Sequence, residues 1–294
     1  MRITVFTPAY NRGYIIEKLY HSLQRQNFHD FEWLVVDDGS TDDTQMIFQR
    51  IMQEENEFPI RYVKVENGGK HRAINQGVKL AKGELFFIVD SDDYIMDNAL
   101  AIIDSMEKTL TEKEEFCGIC GQRGHDEKNA MGSTFSGDML DISILERPKY
   151  NIYGEKAEVF YTNTLRNYPF PEFEGEKFLT ECVVWDKMAA DGYKLRFFNQ
   201  ILIICKYLPD GLTSNIEQLQ RKNPRGQGWY LYQSVQFGKI RGKQKWNEYL
   251  RYFYIMRGTI PFGEMARNLH IPSMLLWNGL FILRVCNKIR AFIK

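Results

Sequence analysis

The sequence predicts an α/β fold, with a largely parallel β-sheet covered by helices on both faces and a helical extension behind it. Three observations carry this expectation. Over the first 110 residues, short β-rich runs alternate with segments of helical spacing. The strand-like runs are apolar almost throughout, as a sheet buried on both faces requires. Every unusual polar cluster in this part falls at the carboxyl end of a strand, where such sheets bind ligands.

The elements follow in order. Ile3 to Phe6 reads as a first strand ended by Pro8, and Tyr14 to Gln26 as a helix with Ile15, Leu19 and Leu23 on one face. Phe31 to Val36 is a second strand, closed by the turn chemistry of Asp37-Asp38-Gly39-Ser40. Thr41 or Asp42 can cap the helix that runs through Ile47 and Ile51. Ile60 to Val65 is a third strand and Ala73 to Ala81 a third helix, stopped by Gly83, before a fourth strand at Leu85 to Val89. Beyond it the pattern is less regular. A Gly-rich strand is expected at Cys117 to Gly124, a helix at Glu176 to Ala190 and a strand at Ile201 to Lys206, then Arg- and Tyr-rich helices. Cys117-Gly-Ile-Cys120 has no second pair at zinc-ribbon spacing, so these cysteines read as small buried strand residues. Residues 1–110 are thus expected to form a ligand-binding half, 111–214 a second half of the same domain, and 215–294 a basic helical extension.

Lys plus Arg and Asp plus Glu both number 38, which suggests no nucleic-acid partner. The balance hides an asymmetry. From Asn215 onward there are 14 Lys/Arg against 3 Asp/Glu, leaving 24 against 35 in the first 214 residues. Met1-Arg2 leads straight into a strand, so no export signal and a reducing cytoplasmic setting are expected, and with no apolar stretch of about 18 residues no spanning helix is expected.

The chemistry sits in the polar clusters. Asp90, Asp92 and Asp93 crowd one strand end, and carboxylates that close raise one another's pKa unless a cation compensates. Mg²⁺ or Mn²⁺, held by one or two carboxylates and substrate phosphates, is the expected compensation. Strand alternation would send Asp90 and Asp92 the same way, while Asp93 also suits a helix N-cap. Asp37 and Asp38 suit a nucleoside, with Tyr10 as a stacking face. Asn67-Gly-Gly-Lys70-His-Arg72 puts flexible backbone and cations where a diphosphate would lie, and matches neither the P-loop nor the GxGxxG pattern.

Thr7-Pro-Ala-Tyr-Asn-Arg12, Val35-Val-Asp-Asp-Gly-Ser-Thr-Asp42, Ala73-Ile-Asn-Gln-Gly77, Ala81-Lys-Gly-Glu84 and Asp90-Ser-Asp-Asp93 together resemble the ordered signature of family 2 glycosyltransferases. The resemblance is dense over residues 1–100. Phe170 to Glu181 and Asp210-Gly-Leu-Thr213 resemble a bacterial glycan-assembly subgroup more loosely. It implies the GT-A (Rossmann-like) fold, with a mixed, mainly parallel sheet, and transfer with inversion from a nucleotide-sugar, often UDP-linked, to a glycan or lipid-linked hydroxyl. Thr7, Pro8, Ala9, Tyr10, Asp37, Asp38, Ser91 and Lys70 or Arg72 would meet the donor. Asp90 and Asp92 would bind metal and diphosphate, Asp92 most directly. Many members add a late histidine to the metal shell, and here Tyr207 and Asp210 stand in that neighbourhood instead.

Inverting transfer needs one carboxylate base, and the resemblance points to Glu181, with Glu176 and Asp186 next and Glu172 and Glu174 lining the acceptor cleft. Two other functions use similar parts: a non-catalytic nucleotide-sugar-binding subunit, and a sugar nucleotidyltransferase, which would need a Gly-rich, Arg-containing loop after the first strand. Residues 272–294 combine Trp277 and Phe281 with Arg284, Lys288, Arg290 and Lys294. That composition suits an interfacial helix at the inner face of the cell membrane, and equally a docking or homodimerising helix.

Overall fold

The computed structural model describes residues 1–206 and 216–292, the last ten of these as helical backbone only. The elements run β1 (Ile3–Ala9), α1 (Glu17–Gln24), β2 (Phe31–Asp37), α2 (Thr44–Ile51), β3 (Ile60–Lys64), α3 (Lys70–Leu80), β4 (Leu85–Ile88), β5 (Tyr94–Ile95) and α4 (Ala99–Lys108). They continue with β6 (Phe116–Gly124), β7 (Met139–Ile142), β8 (Lys156–Tyr161), α5 (Thr162–Arg166), α6 (Cys182–Ala190) and β9 (Lys194–Ile204). Five helices complete the chain: α7 (Ile216–Lys222), α8 (Pro224–Gln236), α9 (Gly242–Met256), α10 (Phe262–Asn268) and α11 (Ser273–Phe292).

The chain divides into two compact units, 1–170 with 188–209, and 171–187 with the residues from 210 on. The sheet belongs to the first unit, in the order β3-β2-β1-β4-β8-β6-β9-β5, with β7 also on β9. Pairing is parallel through β3-β2-β1-β4 and again between β6 and β9, and antiparallel elsewhere. It is a mixed sheet with flanking helices.

Apolar strands follow from burial on both faces. Val5, Trp33, Val35 and Phe87 pack with Leu19 and Leu23 of α1, Phe48 of α2 and Ile103 of α4. The alternate residues face the other way: Phe6 stacks on Phe86 at 4.9 Å, and α3 closes on Phe6 through Gly77. A Cβ at Gly77 would fall 2.1 Å from the Phe6 ring, so the Gly of that motif is a packing requirement.

Pro8 does not end β1, as the sequence reading expected. Beside β4 the paired register stops at Phe6–Ile88, while β1 continues along β2 to Ala9–Asp37. Pro8 therefore sits where one flank of the strand is already open, and its missing N–H leaves no ladder bond unmade.

In the second unit, Leu231, Tyr249, Tyr252, Met256, Met265, Leu269, Leu276 and Leu280 form a core among α8 to α11. The expected helix from Glu176 begins only at Cys182. The Asn223 side chain accepts from the N–H groups of Lys177 and Phe178, and the Glu176 carboxylate accepts from those of Arg225 and Gly226, each bond 2.7–2.9 Å. These bonds hold 176–178 as a strap over the start of α8 and fill its N-terminal donors. The expected strand at Ile201 likewise begins earlier, at Lys194.

Candidate active site

Three loops meet at the carboxyl ends of β1, β2 and β4. After β1, Asn11 adopts a left-handed φ of 52°, and its backbone N–H donates to Ser40 Oγ (2.8 Å) while its side chain accepts from the Thr41 N–H (2.8 Å). This ties the first loop to the second and leaves Tyr10 exposed at the strand end. Thr7, Pro8 and Ala9 turn their side chains inward; the Thr7 hydroxyl accepts from the Trp33 indole at 3.0 Å. Donor contacts from these three would have to come from backbone.

Asp37 and Asp38 are both buried. The Asp37 carboxylate accepts from the Ser40 N–H (2.7 Å) and from the Tyr62 hydroxyl, so in this structure it holds the turn. Asp38 accepts from the N–H groups of Gly68 (2.7 Å) and Gly69 (2.8 Å) and from the Asn67 amide (3.1 Å). It thereby clamps the Asn67-Gly-Gly loop onto β2 and sets the start of α3. Gly39 has φ +77°, and a Cβ there would fall 2.8 Å from the Asn67 N–H, so only glycine lets the two loops approach.

Lys70 opens α3 and reaches Asp90, with Nζ 2.6 Å from Oδ1. The other Asp90 oxygen faces Arg123 of β6 at 3.4 Å, and the same guanidinium pairs with Asp93 at 3.1 Å. Burial alone would raise the Asp90 pKa; Lys70 and Arg123 overcome it and hold the carboxyl at about 2. Burial and then the Asp90 charge push Asp92 up, and push Asp93 up to about 7 against the pull of Arg123.

Two expectations change here. The Asp93 N–H donates to the Asp90 carbonyl (3.1 Å), so residues 90–93 form a turn and strand alternation does not relate Asp90 to Asp92. Asp93 is no helix cap either, because α4 begins at Ala99 and Asp93 is buried against Arg123 and the Cys205 thiol. Ser91 is also buried.

The donor set leaves room for a cation at one residue. Among the described residues Asp92 makes no ion pair, it is half-buried, and burial with the nearby Asp90 charge raises its pKa. No three His, Cys, Asp or Glu among the described residues could hold an ion alone. One carboxylate supplemented by diphosphate oxygens is how Mg²⁺ commonly binds, so the residues fit that mode. Asp90, with both oxygens committed to cations, fits it less well. Tyr207 and Asp210 lie outside the described residues.

Arg123 is the residue sequence reading passed over. A charged side chain within a buried, Gly-rich strand was the available signal. Tyr62, which meets Asp37, gave none beyond an ordinary strand aromatic.

In the second unit Glu181 directly precedes α6, its carbonyl accepting from the N–H groups of Val184 (3.0 Å) and Trp185 (3.2 Å), and its side chain is half-buried. The runners-up have structural partners: Glu176 caps α8, and Asp186 is buried with Lys239 at 2.7 Å. Glu172 and Glu174 are exposed, and the Glu174 carbonyl accepts from Arg225. Cys117 and Cys120 are buried in β6, and burial pushes the Cys117 thiol up to about 12, which fits inert strand residues.

Residues 4–131 match the family model described as glycosyl transferase family 2. Glycosyltransferase GlyG of Streptococcus pneumoniae is 36% identical over 129 residues, 43% of this chain and 41% of that protein. The GalNAc(5)-diNAcBac-PP-undecaprenol β-1,3-glucosyltransferase of Campylobacter jejuni is 29% identical over 186 residues, 54% of this chain and 58% of that one. The chain thus spans less than two thirds of the length of either relative. Among solved structures, Staphylococcus aureus TarS (residues 1–349) in complex with UDP-GlcNAc superposes with a TM-score of 0.63 at 18% identity, over 98% of this chain and 92% of that one. A mannosyltransferase from Pyrobaculum calidifontis in complex with GDP-Man and Mn²⁺ gives 0.56 at 18% identity, over 99% and 82%. At these identities the likeness is one of fold.

Proposed function

From a chain whose residues 4–131 belong to glycosyl transferase family 2 and whose sheet has the GT-A fold, we propose an enzyme that moves a sugar from a nucleotide-diphosphate donor, UDP-linked by preference, to a hydroxyl of a glycan or lipid-linked acceptor. One observation carries this reading. The loops after β1, β3 and β4 carry an exposed aromatic ring, a cation and a half-buried carboxylate that makes no ion pair among the described residues: Tyr10, Lys70 and Asp92. These are the groups that a base, a diphosphate and a divalent ion require. The UDP-sugar and Mn²⁺ held by the two structural neighbours support the same assignment.

Tyr10 stacks on the base, while Asp37 and Asp38 hold the loops that frame the nucleoside. Lys70, or Arg72 two residues further into α3, meets the diphosphate. Asp92 would hold Mg²⁺ or Mn²⁺, which when bound would neutralise charge on the departing nucleoside diphosphate. The acceptor hydroxyl attacks the anomeric carbon on the face opposite the leaving group, which inverts the configuration. Glu181 is the residue that motif order names to take the hydroxyl proton.

The test is donor cleavage by the purified chain across a panel of nucleotide-sugars, with Mg²⁺, with Mn²⁺ and with chelator. Release of nucleoside diphosphate that needs the metal and is lost in Asp92→Asn is the expected result. No cleavage or transfer with any donor, alongside tight donor binding, would convert the reading into that of a non-catalytic binding subunit.

A further inference from the structure

We propose that the outward face of α11 is a docking surface for anionic lipid bilayers. The helix is fixed to its own unit by a narrow strip. Leu276 and Leu280, one turn apart, are buried in the core, and Gly279 beside them lets the Trp246 ring close in, since a Cβ there would fall 2.0 Å from it. The rest of the described part of α11 faces away from that strip. Met274, Leu275, Trp277, Phe281 and Ile282 are 54–75% exposed, and the Trp277 and Phe281 rings stack at 5.4 Å, 6° from parallel. At 3.6 residues per turn these five span an arc of about 160°, interrupted only by Asn278. A contiguous apolar patch of this kind marks an interaction surface.

Charge identifies the occupant. The last acidic residue of the chain is Glu264; the 30 residues after it hold Arg267, Arg284, Lys288, Arg290 and Lys294 and no Asp or Glu. On the neighbouring α9, which supplies Trp246, Lys243 is exposed and Lys245 Nζ lies 4.8 Å above the Trp246 ring. A second copy would bring the same excess of positive charge against itself, whereas an anionic lipid surface complements it. An exposed Trp and Phe face in a segment whose only charged residues are Lys and Arg has the composition that seats a helix at the headgroup boundary. Among the described residues no helix is long and apolar enough to cross a membrane, and the contact proposed is a surface one.

The experiment is co-sedimentation of the full chain with phosphatidylcholine vesicles, with and without phosphatidylglycerol, at low and high salt. Binding should require phosphatidylglycerol and fall with salt. The double variant Trp277→Ser/Phe281→Ser should weaken it about tenfold or more, with melting temperature and lipid-free donor cleavage unchanged. The proposal fails if anionic lipid gives no advantage or if the double variant binds like the parent. It also fails if the lipid-free parent is a dimer in analytical ultracentrifugation that the double variant splits, since a second copy then covers this face. Donor cleavage in lipid-free solution tests the sugar-transfer reading separately.

Discussion

In the turn after β4, Asp90 faces Lys70 and Arg123, while Asp92 makes no ion pair among the described residues and feels Arg12 and Lys70 only at longer range. The two acids should therefore respond differently to the same substitution. Asp92→Asn removes a carboxylate whose charge is disfavoured in the fold, so the melting temperature should hold or rise while metal-dependent turnover drops about 10²–10³-fold. Asp90→Asn leaves buried Arg123 with a weaker set of partners and should cost about 2–3 kcal/mol in chemical denaturation. If Asp90→Asn is as stable as the parent, the geometry assigned to this pair is wrong. For Glu181→Gln, a lost general base lowers kcat about 10²–10⁴-fold with donor affinity retained. Titration calorimetry with the donor beside single-turnover rates separates the two quantities, and a parental rate would remove Glu181 from the mechanism.

At the level of elements, the glycines of the motifs do more packing than binding. Gly77 of α3 meets Phe6 of β1, and a Cβ at Gly83 would fall 2.3 Å from the backbone nitrogen of Thr4. Gly77→Ala should destabilise by about 1–3 kcal/mol through overpacking, and Phe6→Leu in the same chain should recover part of that loss. Simple additivity of the two changes in a denaturation cycle would contradict the contact. Asn75 is similar: its amide exchanges two hydrogen bonds with the backbone of Phe170, at 3.0 and 2.8 Å. These residues read as part of the family signature, and in the structure they hold together the sheet and helix that carry the loops at the strand ends.

Across the first unit, one ionic network joins elements far apart in sequence. Arg2, at the entry to β1, pairs with Glu84 before β4 and with Asp104 and Glu107 of α4, and Glu107 also accepts from Lys113 and from Tyr161 of β8. Burial would raise the Glu107 pKa, but the hydrogen bonds from Lys113, Tyr161 and Arg2 outweigh it and lower it from 4.5. A lowered carboxylate contributes stability that is present above its unfolded value and lost as pH falls through the folded one. The melting temperature should thus decline below about pH 5. Glu107→Gln should shrink that decline and cost about 1–3 kcal/mol at pH 7. An unchanged acid limb in the variant would show that other carboxylates govern it.

The periodicity of the first 110 residues determined by itself the four parallel strands, the helices between them and the loops that carry polar residues, because a sheet buried on both faces must be written in continuous apolar runs. The C-terminal excess of basic residues was equally legible, since charge is additive along a chain. Only tertiary structure decided how the acids divide their work. Asp37, Asp38, Asp92 and Asp93 look alike in sequence, yet Ser40 and Tyr62, the Gly68-Gly69 backbone and Arg123 claim three of them and leave Asp92 without an ion pair among the described residues. Arg123 lies 30 residues beyond Asp93, on a strand that joins the sheet through β8 rather than beside β4. Such a partner cannot be read from local pattern, because the protonation and the cation a carboxylate accepts depend on charges brought to it by the fold.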